Sequence, residues 1–274
     1  MESSIQWPVG ETSCQPEVLQ YFAEQLPQLN TTEGLLRAAI GVSMNALDDV
    51  DPGRIEQRLR ILSLRVQERS PSQRDAAILA NMHAVLFEEE GFLGNLEQYY
   101  NALNSYVPAV LSTRRGLPVT LSLIYKVVGQ WAGLRVEGVN APGHFMVRVR
   151  CDNAWMIVDP FFGGQVLSRS EAFDRIDRVA GRHLPRTDQM LATPTHGQWV
   201  ARILGNLRQL FATEGRVEDL TAMTELKALL EKHEECPVVV KATARPERAS
   251  SVLGHVHNLE GEASTESTPS NVRG

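Results

Sequence analysis

Residues 114–164 read RRGLPVTLSLIYKVVGQWAGLRVEGVNAPGHFMVRVRCDNAWMIVDPFFGG and carry the strongest structural signals of the chain. This stretch contains a glycine turn, an apolar segment, a short strand and a hairpin. The apolar segment begins at Pro118, a residue favoured in the first turn of a helix, and ends at Gly133, a residue favoured just after one. Because it is apolar nearly all round, it predicts a buried central helix.

The hairpin is predicted from the alternation of apolar residues on two arms. We expect the turn within residues 150–153, where Asp and Asn tolerate a positive φ. A four-residue loop there pairs Phe145 with Val158 on an apolar face. On the other face, the same register makes His144 and Asp159 cross-strand neighbours within hydrogen-bonding reach.

His144 and Asp159 are therefore candidate catalytic residues. A carboxylate beside a histidine stabilises the imidazolium and fixes which ring nitrogen is free, which is the orienting half of a catalytic triad. The alternative is a structural His–Asp hydrogen bond at the end of a sheet.

The flanking segments are mostly helical by pattern, and they indicate an α+β fold class. A helical N-terminal part precedes the central helix, which packs on a small antiparallel sheet, and a C-terminal helical hairpin follows around Gly215. Such a hairpin has the size of one tetratricopeptide-like unit. The predicted divisions are an N-terminal extension (1–30), the main domain (31–180), a linker (181–196), the hairpin (197–235) and a disordered tail (236–274), whose composition is polar.

The bulk composition excludes several classes of function. A formal net charge of −6 argues against a nucleic-acid partner, and the chain has no apolar run long enough to span a membrane. The N-terminus lacks the features of a secretory signal. Cys14, Cys151 and Cys236 are too far apart in sequence to indicate a disulfide framework or a metal site. We therefore expect a cytoplasmic protein without a metal or cofactor, and the sequence does not indicate its oligomeric state.

The motifs RRGLP, EGVNAPGHFMVR and DPFFGG resemble the core of the transglutaminase-like superfamily, which has a papain-like Cys-His-Asp arrangement. They closely resemble its bacterial SirB-type subgroup, and the C-terminal tetratricopeptide-like hairpin fits that subgroup too. The resemblance covers about residues 30–235. It implies that His144 matches the catalytic histidine of the family and Asp159 its acid.

The catalytic cysteine of the family has no counterpart in this chain. The resemblance places it at the start of the central helix, just after a glycine, and Pro118 stands there instead. Thr120 and Ser122 are the nearest hydroxyl groups, and at about 100° per residue Ser122 returns to the side of Pro118, one turn further along. Cys151 lies in the hairpin turn, far from His144, and is a poor substitute.

Three further residues are candidates for ligand binding. Arg114 and Arg115 stand before the central helix, where they could hold an anionic group, although paired arginines more often bind carboxylates of the same chain. Asn104 could line the same cleft, or its side chain could cap a local turn. Three consecutive glutamates, residues 88–90, end a helix with charges that oppose its dipole, which hints that they pair with the arginines.

Two functions follow from these residues. In the first, the domain is non-catalytic and binds a peptide or protein segment in the former active-site cleft. In the second, it is a hydrolase or acyltransferase that uses His144 and Asp159 with Ser122, Thr120 or water. We favour the first because the site lacks its nucleophile.

Overall fold

The structure is a computed structural model and describes residues 12–235. The predicted disordered tail lies outside the described residues, as do the first eleven residues of the predicted N-terminal extension. The fold is mixed, with many helices and a small antiparallel sheet, and the predicted α+β class is confirmed.

Four helices precede the central region. Their bounds are α1 Pro16–Gln25, α2 Thr32–Met44, α3 Pro52–Glu68 and α4 Asp75–His83, and a π-helical segment, Ala84–Glu89, continues α4. Side-chain caps are present at two of the starts. The Thr31 side chain accepts a hydrogen bond from the Gly34 amide, and the Asp51 side chain accepts from the amides of Gly53 and Arg54. These bonds satisfy amides that have no partner within the helix.

Residues 12–30 are the described part of the predicted N-terminal extension. They include the helix α1, which their polar composition did not indicate. Val18, Leu19 and Phe22 of α1 are buried in the same core as α2. The carboxylate of Glu225, near the other end of the described chain, accepts hydrogen bonds from the backbone amides of Ser13 and Cys14. Segment 13–25 is thereby attached to the helical core by both apolar burial and hydrogen bonds.

The central helix α6, Pro118–Ala132, follows α5 (Val107–Thr113) and is buried along nearly its whole length. It begins and ends as the sequence predicts, with Pro118 in its first turn and Gly133 after it at a φ of 109°. Two short parallel strands, β1 (Leu93–Gly94) and β2 (Arg115–Gly116), lie just before it. A backbone hydrogen bond from Leu117 to the Asn104 carbonyl fixes the start of α6 against the preceding loop.

The main sheet is antiparallel and has the strand order β3-β4-β5-β6. Its strands are β3 Arg135–Val139, β4 Met146–Cys151, β5 Ala154–Asp159 and β6 Gln165–Leu167. One face packs on the core that contains α6, through Val147, Val149 and Val158. The other face contributes Val139, Met146 and Leu167 to a smaller apolar cluster with α7 (Arg169–Ala180).

The predicted register of the hairpin is wrong by two residues. Val158 pairs with Val147, not with Phe145, and Cys151 pairs with Ala154. The reason is a shorter turn than predicted, because only Asp152 and Asn153 connect the strands, with Asp152 at a φ of 51°. Because the pairing is shifted by two residues, each side chain remains on its predicted face of the sheet.

The C-terminal helices α8 (His196–Glu214) and α9 (Val217–Glu235) meet at Gly215. Trp199 of α8 is 1% exposed and donates a hydrogen bond from Nε1 to the Val119 carbonyl at the start of α6. A Cβ atom on Gly138 of β3 would lie 2.6 Å from the Trp199 ring. Both helices therefore share one hydrophobic core with α6. That residues 197–235 form a separate tetratricopeptide-like unit stays a prediction.

None of the helices formed by residues 12–235 combines the length and the apolar character that crossing a membrane requires.

Candidate active site

The side chains of His144 and Asp159 are hydrogen-bonded in the interior of the protein. His144 Nε2 lies 2.9 Å from Asp159 Oδ2, and the two residues are 2% and 0% exposed. His144 lies two residues before β4 and Asp159 ends β5, so the bond links the base of the hairpin. Because Nε2 is used, Nδ1 is the ring nitrogen left for a reacting group.

Asp159 has two further partners. Its Oδ1 accepts from the Phe161 amide at 3.1 Å, and its Oδ2 lies 2.7 Å from Nη1 of Arg175. Arg175 is a residue of α7 that is 4% exposed, and its Nη2 donates to Gln165 Oε1 at 2.6 Å. One carboxylate oxygen is therefore shared between the histidine and a guanidinium, which retains its charge in proteins.

Arg175 was not among the residues predicted from the sequence. Burial lowers the pKa of its guanidinium, and the charge of Asp159 opposes that shift. The guanidinium carbon lies 3.8 Å from the centroid of the Phe162 ring. A signal was present in the sequence, because Arg175 follows Ala172 by three residues and precedes Ile176 on the apolar side of α7. A charged residue on that side predicts a buried partner.

Aromatic rings surround the histidine. The Phe161 ring centroid lies 5.9 Å from that of His144 in an edge-on arrangement, and the Phe162 centroid lies 6.1 Å away. Tyr99 in turn contacts Phe161, with centroids 6.0 Å apart. These rings shield the His–Asp–Arg cluster and strengthen its electrostatic interactions by lowering the local dielectric constant.

Pro118 occupies the first position of α6 and is buried. Its ring carries no nucleophilic atom, so the helix start offers no thiolate. Cys151 lies at the far end of β4, and burial, followed by the charges of Asp152 and Asp75, raises the pKa of its thiol. A raised pKa disfavours the reactive thiolate, so Cys151 is unsuited to replace the missing residue.

The two hydroxyl candidates are both fully buried. Ser122 Oγ lies 3.5 Å from the carbonyl oxygen of Phe145, the residue after His144, which is a long hydrogen bond. Thr120 Oγ1 has no hydrogen-bond partner among the described residues. Ser122 thus lies on the side of α6 that faces the segment leading into β4.

The Asn104 side chain is engaged within the chain. Its Oδ1 accepts from Asn95 Nδ2 at 2.9 Å, and its Nδ2 donates to the carbonyls of Gln98 and Tyr99 at 2.6 and 3.1 Å. Both amide hydrogens are therefore used, and the residue is 3% exposed. This is the turn-capping arrangement that the sequence left open as the alternative to ligand binding.

Arg114 is paired with Glu90, as the run of glutamates hinted. Arg114 Nε lies 3.0 Å from Glu90 Oε2, and Arg65 binds the other oxygen of the same carboxylate. Burial acts to raise the pKa of Glu90, but the two guanidinium groups outweigh it and lower the pKa. Arg115 is exposed and donates to the Gly91 carbonyl at 2.8 Å. The charge of Arg114 is thus compensated within the chain.

Arg202 on α8 is a cation near the site that was not predicted from the sequence. Its Nη1 donates to Asn140 Oδ1 at 3.1 Å, beside the loop that leads from β3 to His144. It forms no ion pair with the residues that the structure describes. Burial lowers the pKa of its guanidinium, and Tyr99 opposes the shift. Residues 12–235 contain no cluster of three or more His, Cys, Asp or Glu side chains placed to hold a metal ion.

The apolar helix α6 packs against an antiparallel sheet whose hairpin carries a buried His–Asp pair. A family model described as the transglutaminase-like superfamily matches residues 53–205, and the chain belongs to this superfamily.

Several curated proteins are similar to parts of the chain. A UPF0162 protein of Xylella fastidiosa is 34% identical over 141 residues, which cover 50% of each chain. A UPF0162 protein of Pseudomonas aeruginosa is 25% identical over 202 residues, covering 72% of this chain and 71% of the relative. F-box only protein 21 of Homo sapiens is 32% identical over 147 residues, which cover 50% of this chain and 22% of that protein. This chain spans about half the length of the Xylella relatives. No solved structure matches it.

Proposed function

We propose that the protein is a non-catalytic transglutaminase-like domain that binds a peptide or protein segment in the cleft beside His144. The observation that carries the proposal is the buried Pro118 at the start of α6, where the resemblance implies that the family has its nucleophile. Binding needs a shaped cleft with a few polar groups, whereas acyl transfer needs an attacking atom.

The environment of Asp159 supports the same function. In a triad the carboxylate stabilises the imidazolium as it forms during the reaction. Here the single negative charge of Asp159 already pairs with Arg175 at 2.7 Å. The cluster is thus suited to holding β5, β6 and α7 together, and this structural role does not depend on a nucleophile.

The position of Arg202 indicates the charge of the bound segment. A partly buried guanidinium without a carboxylate partner in the described chain is a binding site for an anionic group. The segment accordingly presents an Asp or Glu side chain, or its own C-terminal carboxylate, to Arg202.

The assignment to the SirB-type subgroup is part of this proposal. It is supported by the motifs RRGLP, PGHFMVR and DPFFGG and by the helical hairpin around Gly215. The similarity to half of a Xylella protein and to 22% of F-box only protein 21 is in keeping with a domain that works within larger proteins.

Turnover measurements test the absence of catalysis. Activated esters, peptide amides and a glutamine donor with an amine acceptor are incubated with the wild type, with His144→Ala and with His183→Ala, which changes an exposed histidine. We expect all three proteins to give the same background rate. A loss on the order of 100-fold in His144→Ala alone would overturn the proposal, because a general base contributes at least that much.

A peptide array with free and amidated C termini tests the binding function. Peptides that carry a carboxylate are expected to be retained by the wild type and by Arg182→Gln, which removes an exposed arginine, but not by Arg202→Gln. Retention that is equal for acidic and neutral peptides, or unchanged in Arg202→Gln, would contradict the assigned ligand chemistry.

A second candidate function is hydrolysis by a hydroxyl nucleophile. It is favoured by one observation, the buried Thr120 hydroxyl that has no partner among the described residues, with Ser122 close to the Phe145 carbonyl. If His144-dependent turnover is found, Thr120→Val and Ser122→Ala distinguish the two nucleophiles, and retention of activity in both variants assigns the attack to water.

A further inference from the structure

A cavity of about 300 Å³ is lined by residues of the main sheet and of the start of α7, and by no residue of the His–Asp–Arg cluster. Four of its lining side chains belong to the smaller apolar cluster between the sheet and α7, namely Val139, Ile157, Leu167 and Leu191. Its volume is at the lower end of the range for small-molecule sites. The cavity therefore suits a small ligand with an apolar body.

Trp155 on β5 adds an aromatic wall that solvent reaches. The residue lines the cavity and is 38% exposed. The guanidinium carbons of Arg148 and Arg135 lie 4.7 and 5.2 Å from the centroid of its ring, so the indole is held between the neighbouring strands. An apolar group in the cavity would cover the exposed part of this ring, and the burial of apolar surface favours binding.

The polar groups of the cavity are cationic. Arg148 and Arg169 line it, and among its described lining residues none is acidic. Arg148 donates to Glu137 from Nε and Nη2 at 2.9 and 2.6 Å, and its Nη1 has no hydrogen-bond partner in residues 12–235. Arg169 pairs with Asp188 through Nη2 alone. The two arginine side chains are 34% and 56% exposed, so a ligand can reach their remaining N–H groups.

The charges around the cavity favour a ligand with one carboxylate. Glu137 binds Arg135 as well as Arg148, so three guanidinium groups are paired with two carboxylates and one positive charge is uncompensated. The Asp188 side chain is 93% exposed, and an ion pair in water contributes little, so it does not compete strongly with a ligand. The planar N–H edge of arginine matches the two oxygens of a carboxylate.

We propose that this cavity binds a small monocarboxylic acid with an aromatic or branched apolar body. The carboxylate binds at Arg148 and Arg169, and the apolar body covers Trp155 and the cluster beneath it. The site goes beyond the function proposed for the cleft beside His144 and does not depend on it, because the two share no residue.

Titration of the full chain with matched probes tests the proposal. The probes are 3-phenylpropionate, its neutral match 3-phenylpropionamide, and acetate, which has the carboxylate without the apolar body. Nuclear magnetic resonance follows the indole N–H of Trp155, assigned with Trp155→Phe, and the indole N–H of Trp131, which is bound to Glu33, is the internal control.

We expect saturable shifts of the Trp155 signal with 3-phenylpropionate that weaken as salt is added, and no shift of the Trp131 signal. The amide is expected to bind about ten-fold more weakly, because it lacks the charge-assisted hydrogen bonds, and acetate at least as weakly, because it buries little apolar surface. Equal affinities for the acid and the amide, or no saturable shift with the acid, would overturn the proposal.

Two arginine variants on α7 test the position of the carboxylate. Arg169→Gln is expected to weaken the binding of 3-phenylpropionate by about five-fold, the size of one exposed charge pair. Arg178→Gln, at an exposed arginine outside the cavity, should leave the affinity unchanged. Thermal unfolding of both variants establishes that each is as folded as the wild type. Equal affinities in the two variants would contradict the placement of the carboxylate at Arg169.

Discussion

At the scale of single residues, the sharing of Asp159 Oδ2 between His144 and Arg175 gives the buried polar cluster a structural role. Three polar side chains that are 0–4% exposed bind one another, and Arg175 also binds Gln165 on β6, while Arg175 Nε has no hydrogen-bond partner among the described residues. A buried group that loses its partner costs the full free energy of desolvation. The cluster is therefore needed for folding whatever its chemistry.

The variant Arg175→Met tests this role. It leaves Asp159 as a buried carboxylate without its guanidinium, so we expect the free energy of unfolding to fall by about 3–5 kcal/mol. Urea denaturation followed by circular dichroism measures the change. Arg178→Met, an exposed position on the same helix, is the control and should stay within about 0.5 kcal/mol of the wild type. An Arg175→Met protein as stable as that control would contradict the account.

At the scale of elements, the apolar periodicity predicted the helices well because their burial follows a regular spacing. The bounds of α2, α3, α6 and α7 and the capping box of Ser168 and Glu171 follow from local sequence. The pairing register of β4 and β5 could not be predicted from local sequence, because it depends on the length of one turn. The strand β6 was missed, since three residues are too few to show alternation.

The residues of the candidate site were also predicted only in part. Alternation placed His144 and Asp159 on the same face, and the observed hydrogen bond joins them. Arg175 and Arg202 were missed because the partner of a buried arginine is set by tertiary packing, which brings α7 and α8 to the sheet. Asn104 and Arg114 have partners, Asn95 and Glu90, that lie too far away in sequence for a local pattern to reveal.

The contact between α4 and α6 predicts a pH dependence of stability. His83 Nε2 lies 2.8 Å from the Tyr125 hydroxyl, and burial lowers the pKa of His83 from 6.5 to about 4. Between these values the unfolded chain binds more protons than the folded one, so the stability from His83 is present above pH 6.5 and is lost as the pH falls toward 4.

The matching measurement is urea denaturation of the wild type and of His83→Gln at several pH values from 4 to 7. The loss of stability on acidification should be smaller in His83→Gln, because glutamine does not titrate. His183→Gln, at an exposed histidine, serves as the control. Parallel pH profiles for the wild type and His83→Gln would show that His83 is not responsible.

At the scale of the whole molecule, the C-terminal helices complete the core around the start of α6. Trp199 contacts Phe145, with ring centroids 4.6 Å apart, and bonds to Val119. Leu204, Leu207 and Phe211 are fully buried in the same apolar cluster as α2 and α6. The family match ends at residue 205, within α8, so the superfamily core itself includes part of this helix.

A truncation tests whether the rest of the chain needs α8 and α9 in order to fold. Removal of residues 196–274 would expose the apolar groups that Trp199 and its neighbours cover, so we expect the remaining chain to lose cooperative unfolding. Removal of residues 236–274 alone is the control and should leave the unfolding transition in place. A sharp thermal transition in the shorter chain would instead identify α8 and α9 as a separate domain.

The central claim is that Pro118 stands where a nucleophile would react with His144, and the variant Pro118→Cys tests it most directly. The measurement is the rate at which iodoacetamide alkylates the new thiol, followed by mass spectrometry of the peptide around residue 118 in a Cys151→Ser background. Circular dichroism first establishes that each variant is folded. We expect fast labelling that slows when His144→Ala is added, because the imidazole stabilises the thiolate. Labelling that is independent of His144 would contradict it.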